Sequence, residues 1–371
     1  MSTPKAAKTL KEPLVRLAKR NDIAPVKAWL IRLAAILLAL VTGGLIILAL
    51  GHNPLDVYTE MVTSCLGKAR GIRETAKRAI PLLGCALAIA PAFKMKFWNI
   101  GAEGQLLAGG IAASYFALFW YDKLPRPVLL IVMCVAAIIA GGIWGLIPGV
   151  FKAKWGTNET LFTLMLNYIV LGVLKYLQAG PWGPGLNPNS AYPKIPMFED
   201  VARLPQVFGV HIGWILILVL TVLMFWYLRY SKQGYEIAVV GESVRTAQYA
   251  GMGVPRIIMR TMFISGAIAG FVGYLQVAGA SYTLTENTAG GIGFTAITVA
   301  WLAKLNPFAM VIIAAFLGIL EKGSDTIQTV YQIPASAAGM LTGLILFFML
   351  GCEFFINYRL IFRGKGEHKH G

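Results

Sequence analysis

Long apolar stretches are the feature that most restricts how this chain can fold. Residues 29–50 read WLIRLAAILLALVTGGLIILAL and contain one charged residue, Arg32, near the start. About 20 apolar residues in a helix are long enough to cross the hydrocarbon core of a bilayer. Charged residues make up only 13% of the chain, whereas soluble domains contain roughly 25%. The sequence therefore predicts an all-α polytopic membrane protein.

Hydropathy predicts about ten transmembrane helices. They lie near residues 29–50, 76–93, 98–119, 127–150, 159–178, 213–230, 257–279, 290–303, 306–322 and 334–356. A basic tail, residues 1–28, precedes the transmembrane domain of residues 29–356, and a second basic tail, residues 357–371, follows it. Basic loops alternate with the spans in a way that places both termini in the cytoplasm. The same loops account for the net charge of +16, and no basic stripe interleaved with exposed aromatic residues points to nucleic acid.

Two segments outside the spans have unusual compositions. The external loop 179–212 is rich in Pro and Gly, and we expect a surface lid or docking platform there rather than a buried core. Segment 51–78 is expected outside although it is basic, so we expect an interfacial amphipathic helix that leads into the second span. The Gly-rich segments that follow the second and the seventh spans resemble each other in pattern alone. Such a resemblance is typical of transporters in which a unit of five spans occurs twice.

A first polar cluster lies in the motif NIGAEGQLLAGG and contains Asn99, Glu103 and Gln105. Asn99 and Glu103 are four residues apart, so they share a helix face. An ionisable residue within a span usually faces a cavity or a partner, which makes these residues candidates for the substrate pathway. The alternative is a polar contact between helices, with the glycines allowing close packing. The sequence leaves both alternatives open.

A second polar cluster lies at the start of the fifth span. Its members are Asn158, Glu159, Thr163, Asn167 and Tyr168. Glu159, Thr163 and Asn167 recur every four residues and form one stripe on a helix. All five are pathway candidates, with helix packing as the alternative. Glu159 has a further alternative, an interfacial ion pair with the lysines that precede it.

The third polar cluster contains Glu286, Asn287 and Phe294, within the polar and Gly-rich residues 281–294. Irregular backbone at membrane depth is tolerated only where protein or a water-filled cavity satisfies it. The segment is therefore a further candidate for the pathway, and an ordinary external turn is the alternative.

No motif indicates catalysis or a bound metal. The chain has no G-x-x-x-x-G-K-S/T phosphate-binding loop, no H-E-x-x-H and no C-x-x-C. We therefore expect no catalytic residue, metal site or cofactor in this chain.

The longest internal loop, residues 231–256, contains signals for one short helix. Gly241 is interpreted as breaking a strand-like run, Ser243 as capping a helix through about Gln248, and Gly251 as its left-handed C-terminal residue. The result would be a short helix presented to the cytoplasm. From these signals alone, a simple surface connector is an equal alternative.

Six stretches, in order, resemble permease subunits of bacterial ABC importers of the branched-chain amino acid/ribose permease superfamily. They are FWNIGAEGQLLAGG, GVFKAKWGTNETLFTLMLNYIV, VVGESVRTAQYAGM, SGAIAGFVGYLQVAG, GFTAITVAWLAKLNP and GLILFFMLGCEFFINYRL. The resemblance is strongest to simple-sugar and nucleoside permeases that work with basic-membrane-protein-type lipoproteins. The family usually has Asn at 243 and Ala at 246, where this chain has Ser243 and Thr246, and Arg where it has Ile292.

The resemblance implies the ten-span fold of type II importers in the bacterial cytoplasmic membrane. It also implies four kinds of partner: membrane lipid, a second permease subunit, a substrate-binding lipoprotein that lands on loop 179–212, and an ATPase that binds ATP and Mg²⁺. The helix of loop 231–256 would couple to the ATPase. The coupling residues would be Gly241, Glu242, Ser243, Arg245, Thr246, Ala247, Tyr249, Ala250 and Gly251. A nucleoside is the first expectation for the substrate and a simple sugar the second.

An ion-coupled secondary transporter of a small polar solute, working through Glu103 or Glu159, is the alternative function. Such a carrier needs no coupling element, so the motif at residues 239–252 favours the importer.

Overall fold

The structure, a computed structural model, describes residues 15–19, 25–186 and 193–362. Thirteen α-helices lie within these residues. They are α1 (Pro25–Ala49), α2 (Pro54–Leu66), α3 (Ala69–Lys94), α4 (Ala102–Phe119), α5 (Arg126–Trp155), α6 (Glu159–Ala179), α7 (Gly213–Tyr230), α8 (Lys232–Glu242), α9 (Val244–Tyr249), α10 (Val254–Leu275), α11 (Ile292–Leu302), α12 (Pro307–Val330) and α13 (Ala335–Asn357). The strands are β1 (Val15–Lys19), β2 (Gln206–Val207), β3 (Val210–His211) and β4 (Tyr358–Phe362). The chain divides into two compact units, residues 1–54 with 340–371 and residues 55–339.

Local sequence signals account for where several helices begin and end. Pro occupies one of the first two positions of α5, α10 and α12, where its missing N–H costs no hydrogen bond. Asn158 caps α6 by accepting hydrogen bonds from two backbone N–H groups of the next turn, at 3.1 and 3.2 Å. Asn306 caps α12 by accepting one at 3.1 Å. Helix α5 ends just before Gly156, whose φ of +65° lies in the left-handed region.

The predicted number of spans is not confirmed. Within the described residues, seven helices are long and apolar enough to cross a membrane, or eight if α1 and α2 form one broken span. A helix lies at each of the ten predicted positions, but the count of about ten is not confirmed. Helix α11 has only 11 residues and is about 16 Å long, roughly half of the hydrocarbon core. Helix α4 carries Glu103 and Gln105 near its start and is not among the seven.

The basic segment 51–78 is more regular than expected. Helix α2 is amphipathic as predicted, with three side chains buried at four-residue intervals. Helix α3, however, already begins at Ala69, so most of the basic residues lie on the first turns of a long helix rather than before it. Ion pairs support these turns, since Lys77 pairs with Glu74 at 3.0 Å and Arg78 pairs with Asp325 of α12.

Glycines allow the core of the unit 55–339 to pack tightly. Helix α10 lies against α4 and α5, and Gly109, Gly141, Gly266 and Gly270 meet at the contacts. A Cβ on Gly270 would lie 2.2 Å from a backbone oxygen of α5, and a Cβ on Gly109 would lie 2.3 Å from the Cα of Gly270. Only hydrogen fits at these positions, and close backbone approach of this kind is how helices associate in membranes.

The Pro- and Gly-rich loop 179–212 was expected to bury no core, and for its described part this expectation is wrong. Ile195, Phe198 and Leu204 are buried. The N–H of Leu204 donates to the carbonyl of Ala278 at 2.9 Å, and that of Phe198 to the carbonyl of Tyr282 at 2.8 Å. Because these backbone groups find partners in the segment after α10, the loop can fold down and bury its apolar side chains. Residues 187–192 lie outside the described residues.

His211 lies beneath this layer, at the end of β3, and is only 1% exposed. Its ring fills the space left by two glycines: a Cβ on Gly213 or Gly279 would lie 2.5 or 2.7 Å from a ring atom. Neither ring nitrogen has a hydrogen-bond partner among the described residues. Burial lowers the pKa of His211 to about 4, and the charge of Lys77 acts in the same direction.

In the other unit, the first and the last described segments of the chain lie side by side. Strand β1 pairs antiparallel with β4, with Val15 opposite Phe362. Ala35 of α1 packs with Cys352 and Ile356 of α13. The predicted tails, residues 1–28 and 357–371, otherwise lie largely outside the described residues.

Candidate functional site

Asn99 organises the loop that connects α3 to α4. The side chain is fully buried. Its Nδ2 donates to Oε1 of Gln105 at 3.2 Å and to Oγ of Ser265 on α10 at 3.0 Å. Its Oδ1 accepts from the N–H of Gly101 at 2.9 Å and from Nε2 of Gln105 at 3.2 Å. The amide therefore folds the loop back on itself and ties the start of α4 to α10.

Asn167 and Thr163 of α6 hold the same loop from the other side. Oδ1 of Asn167 accepts from the N–H of Gly104 at 2.9 Å, and its Nδ2 donates to the carbonyl of Ile100 at 2.9 Å. Oγ1 of Thr163 accepts from the N–H of Ile100 at 3.3 Å. The first N–H groups of a helix have no partner within it, and Asn167 supplies one from a neighbouring helix to Gly104 in the first turn of α4.

Glu103 reaches from α4 to the start of α11. Its two carboxylate oxygens accept from the N–H groups of Gly291 and Gly293, each at 2.7 Å. A carboxylate at a helix N-terminus also interacts favourably with the helix dipole. A Cβ on Gly293 would lie 2.4 Å from the backbone nitrogen of Glu103, and Gly291 has a φ of +82°. Both glycines are therefore required for this contact.

These three contacts bring together five of the predicted pathway residues: Asn99, Glu103, Gln105, Thr163 and Asn167. We call this set the polar clamp. Asn99 and Gln105 bind each other, the other three bind backbone groups of neighbouring segments, and four of the five side chains are buried. The polar helix-packing alternative therefore describes their geometry in the structure.

Asn158 and Glu159 lie outside the polar clamp, at the first turn of α6. Asn158 caps the helix, as described above. Glu159 pairs with Lys152 of α5 at 2.7 Å. The interfacial ion-pair alternative therefore describes Glu159.

The remaining predicted pathway residues are exposed on the surface of the unit. Tyr168 of α6 is 64% exposed and Phe294 of α11 is 42% exposed. Glu286 and Asn287 are exposed as well, in the irregular segment between α10 and α11. Glu286 pairs at 3.2 Å with Lys175 of α6.

Lys175 was missed by the sequence analysis. It is the only charged residue between positions 160 and 178, and a lone ionisable residue in an apolar span is itself a signal of function. Its side chain is 55% exposed although it lies in a candidate membrane span. A charge in that position calls for water or a protein partner, rather than lipid, over this face of α6.

The short helix predicted in loop 231–256 is present as α9. Oγ of Ser243 accepts from the N–H of Thr246 at 3.2 Å, and Gly251 has a φ of +73°. Ala247 is fully buried and packs with Phe97 and the residues of α8 around it. The helix is therefore fixed to the bundle through one small side chain.

Most of α9 faces outward. Its exposed residues are Val244, Arg245, Thr246, Gln248 and Tyr249. Ala250 and Gly251, which follow the helix, and Glu242, which precedes it, are exposed too. Tyr249 is 92% exposed, and a cavity of about 290 Å³ lies at the start of the helix, next to Val244.

The interpretation of Gly241 as a strand breaker is wrong. Residues 232–242 are helical and Gly241 lies inside α8. A Cβ there would lie 2.2 Å from the carbonyl oxygen of Lys94, so the glycine permits α8 to pack against the end of α3. Apolar runs of this length do not distinguish a strand from a helix.

Comparison with known proteins places this architecture in a family. Residues 71–350 match the family model described as "Branched-chain amino acid transport system / permease component". The chain is similar to the glucose ABC transporter permease protein of Haloferax volcanii, with 30% identity over 90% of this chain and 91% of the relative. It is 32% identical to the guanosine ABC transporter permease protein of Bacillus subtilis, over 86% and 92%. It is 30% identical to the nucleoside ABC transporter permease protein of Lactococcus lactis subsp. cremoris, over 89% and 93%.

Proposed function

The chain belongs to the family of branched-chain amino acid transport system permease components, and on this premise we propose that it imports nucleosides, or else simple sugars, into the cytoplasm. It is a multi-pass membrane protein and a permease subunit of an ABC transporter. Of the three relatives named above, one is named as a guanosine transporter permease, one as a nucleoside transporter permease and one as a glucose transporter permease. Nucleosides are therefore the first substrate class and simple sugars the second.

Helix α9 is the feature of the structure that most directly supports coupling of this chain to an ATPase. It is capped at its start by Ser243, anchored by Ala247, and exposed elsewhere, with Tyr249 at 92% exposure. A short helix held rigidly in this way can transmit a displacement of a bound partner to α8 and α3. The family implies an ATPase partner and a substrate-binding protein. The ATPase binds α9 and hydrolyses ATP with Mg²⁺, and this chain contributes no catalytic group.

The opposite end of the bundle suits the substrate-binding lipoprotein. The described part of loop 179–212 is fixed to the segment after α10, so it presents a rigid surface. Phe208, at the tip of the β2–β3 hairpin, is 81% exposed, and Met197 is 62% exposed. Apolar side chains on a well-supported loop are typical of docking surfaces.

The substrate pathway follows the exposed face of α6 and α11 rather than the polar clamp. Tyr168, Lys175, Glu286, Asn287 and Phe294 line this face. A second permease subunit covers it in the assembled transporter, because an exposed ion pair in a candidate span requires water or protein beside it. The polar clamp holds α4 and α11 in place behind the pathway, and transport proceeds by alternating access.

The orientation has both termini in the cytoplasm of a bacterial cell. The pairing of β1 with β4 supports placing the two termini on one side. The basic loops of the sequence support the cytoplasm as that side.

An ion-coupled carrier is not favoured by the geometry of its two candidate carboxylates. The carboxylate of Glu103 accepts hydrogen bonds from two backbone N–H groups, each at 2.7 Å, and the carboxylate of Glu159 forms an ion pair with Lys152 at 2.7 Å. Neither is placed to exchange an ion during a transport cycle.

Replacing residues 244–250 with a Gly-Ser linker of equal length tests the coupling role. The variant should insert into the membrane normally and lose association with the ATPase in a pull-down. Tyr249→Ala alone should weaken the association, and Tyr176→Ala on α6, where the side chain is also largely exposed at 71%, should leave it intact. Full recovery of the complex with the linker variant would refute the role of α9.

Uptake by the reconstituted complex, with its binding protein, tests the substrate class. Unlabelled nucleosides should compete with a labelled nucleoside, and glucose should not. The reverse pattern would select simple sugars, and the absence of ATP-dependent uptake of either class would refute the proposed substrates.

A further inference from the structure

Helix α10 begins shortly after α9, and its other end does not keep α-helical geometry. Residues Gln276–Ser281 form a π-helical turn, and Tyr282, which follows the turn, has a φ of +55°. π-Helical turns are rare and are frequently found at functional sites. A residue other than glycine in the left-handed region is strained, because its Cβ crowds a carbonyl oxygen. Two unfavourable backbone features therefore follow one another directly in residues 276–282, which we call the hinge segment.

The preceding loop binds the backbone of the hinge segment. Its residues 195–206, which we call the strap, lie against the end of α10. The N–H of Leu204 donates to the carbonyl of Ala278 at 2.9 Å, and the N–H of Phe198 donates to the carbonyl of Tyr282 at 2.8 Å. Carbonyl groups at the end of a helix need partners from outside the helix. The strap supplies these partners and so stabilises the strained conformation.

The strap is braced internally and is also attached to α5. Nε of Arg203 donates to the carbonyl of Phe198 at 2.9 Å, and the guanidinium pairs with Asp200 at 2.5 Å. Nη2 of Arg126, at the start of α5, donates to the carbonyl of Arg203 at 3.2 Å. Against the hinge segment, the guanidinium of Arg203 lies 5.2 Å from the ring centroid of Tyr282. The strap can therefore keep its shape and its place on α5 when the hinge segment changes conformation.

The hydrogen bond from the strap competes with a continuation of α10. In an α-helix, the carbonyl of Ala278 would accept from the N–H four residues further on, which belongs to Tyr282. In the structure this carbonyl accepts from Leu204 instead. The hinge segment thus has two alternative conformations, one bound to the strap and one α-helical without a left-handed residue. Conversion of the π-helical turn to an α-helix rotates the residues after it by roughly 100°, the angle of one residue in an α-helix.

The residues after the hinge segment belong to the proposed pathway. Glu286 and Asn287 lie between the hinge segment and α11. The start of α11 is fixed, because Glu103 accepts from two of its backbone N–H groups, each at 2.7 Å. A rotation at the hinge segment is therefore taken up by residues 283–290, which include both pathway residues.

We propose that the hinge segment operates a gate at this end of the substrate pathway. The gate is closed while the strap binds the carbonyls of Ala278 and Tyr282, and it opens when α10 continues through Tyr282. The inference rests on the proposed transport function, since it assigns a moving part to alternating access. A connector that never moves does not account for the left-handed Tyr282, because glycine would occupy that position without strain.

Hydrogen exchange on the purified full-length chain tests the hinge with two variants. Tyr282→Gly and Tyr282→Ala both remove the side-chain contacts with the strap, but only glycine relieves the strain of the closed conformation. The N–H groups of Phe198 and Leu204 should therefore exchange about ten-fold more slowly in the glycine variant than in the alanine variant, as expected for relief of one left-handed residue. The control is the amides of residues 262–272 inside α10, which should exchange alike in the two variants.

Two results of this measurement would overturn the proposal. The first is equal exchange of the strap amides in the glycine and alanine variants. The second is a difference that extends equally to residues 262–272, because it would show a change in overall stability rather than a local opening.

Uptake by the reconstituted complex tests whether the hinge is a gate. Tyr282→Gly should transport about ten-fold more slowly than Tyr282→Ala, because glycine favours the closed conformation. Equal uptake by the two variants would overturn the gate. Absence of uptake by the wild type would refute the proposed function instead, and the exchange measurement on the isolated chain would still decide whether the hinge exists.

Discussion

Replacing Glu103 with Gln tests whether this carboxylate holds the structure together or contacts the substrate. In the wild type, its two oxygens accept from the N–H groups of Gly291 and Gly293, each at 2.7 Å. A glutamine side chain fits the same space, but one of its two terminal groups is an NH₂, which cannot accept a hydrogen bond. One glycine N–H is then left without its partner at the start of α11.

The expected cost follows from these two bonds. A hydrogen bond to a charged group contributes about 1.5–3 kcal/mol, and a buried N–H left unsatisfied costs roughly 1–3 kcal/mol. We therefore expect Glu103→Gln to lower the free energy of unfolding by about 3 kcal/mol. In a domain of this size, such a loss lowers the melting temperature by roughly 5–10 °C. The loop between α10 and α11 should also become more sensitive to protease, because α11 loses the contact at its start.

Glu286→Gln is the matched control. It makes the same chemical change at an exposed carboxylate, whose ion pair with Lys175 has a length of 3.2 Å. Exposed pairs contribute about 0–1 kcal/mol, so its melting temperature should stay within roughly 2 °C of the wild type. ATP-driven uptake by the reconstituted complex should fall in this control, since Glu286 lies on the proposed pathway. If Glu103→Gln melts like the wild type and yet abolishes uptake, the polar clamp is part of the pathway and our assignment is wrong.

Three further predictions concern packing, coupling and pH. Gly270→Val should abolish the folded, monodisperse protein, because its Cβ would lie 2.2 Å from a backbone oxygen, whereas Gly172→Val, with nothing within 4 Å, should purify normally. Tyr249→Ala should reduce ATPase activity stimulated by the permease at unchanged melting temperature, and an unchanged activity would argue against α9 as the contact. Acidification from about pH 7.5 to about pH 5 should lower the melting temperature, because the pKa of His211 is about 4 in the folded protein and about 6.5 when unfolded. The stabilisation is therefore complete above about pH 6.5 and is lost towards pH 4. His211→Asn should reduce the dependence of the melting temperature on pH. An unchanged dependence in this variant would exclude His211 as its cause.

Predictions based on neighbouring residues were the ones that the structure confirmed. The cap of α9 at Ser243 and its left-handed residue Gly251 depend on backbone groups within a few positions of each other. The membrane-spanning class depends on the length of apolar runs, which is also a local property. The amphipathic helix α2 follows from the same kind of periodicity. For these features, the residues that decide the structure are adjacent in the sequence.

Predictions that needed a distant partner could not be completed from the sequence. Lys175 is recognisable in the sequence as a lone charge in an apolar span, but its partner Glu286 lies in the segment between α10 and α11, and only the fold brings the two together. Gly241 was misinterpreted because the contact that requires a glycine comes from the carbonyl of Lys94. Loop 179–212 buries apolar side chains because its backbone finds partners after α10, and its composition alone gave no sign of this.

The sequence by itself determined that the chain resides in a membrane, that it resembles importer permeases, and where the short helix α9 lies. The sequence identified Glu103 as a charge whose burial in an apolar region is energetically unfavourable, but it left the role of this charge open. Only the tertiary structure supplied its two partners, Gly291 and Gly293, which lie 188 and 190 positions away. The physical reason is that the cost of burying a charge depends on the residue alone, whereas the interactions that compensate for it depend on what the fold places beside it.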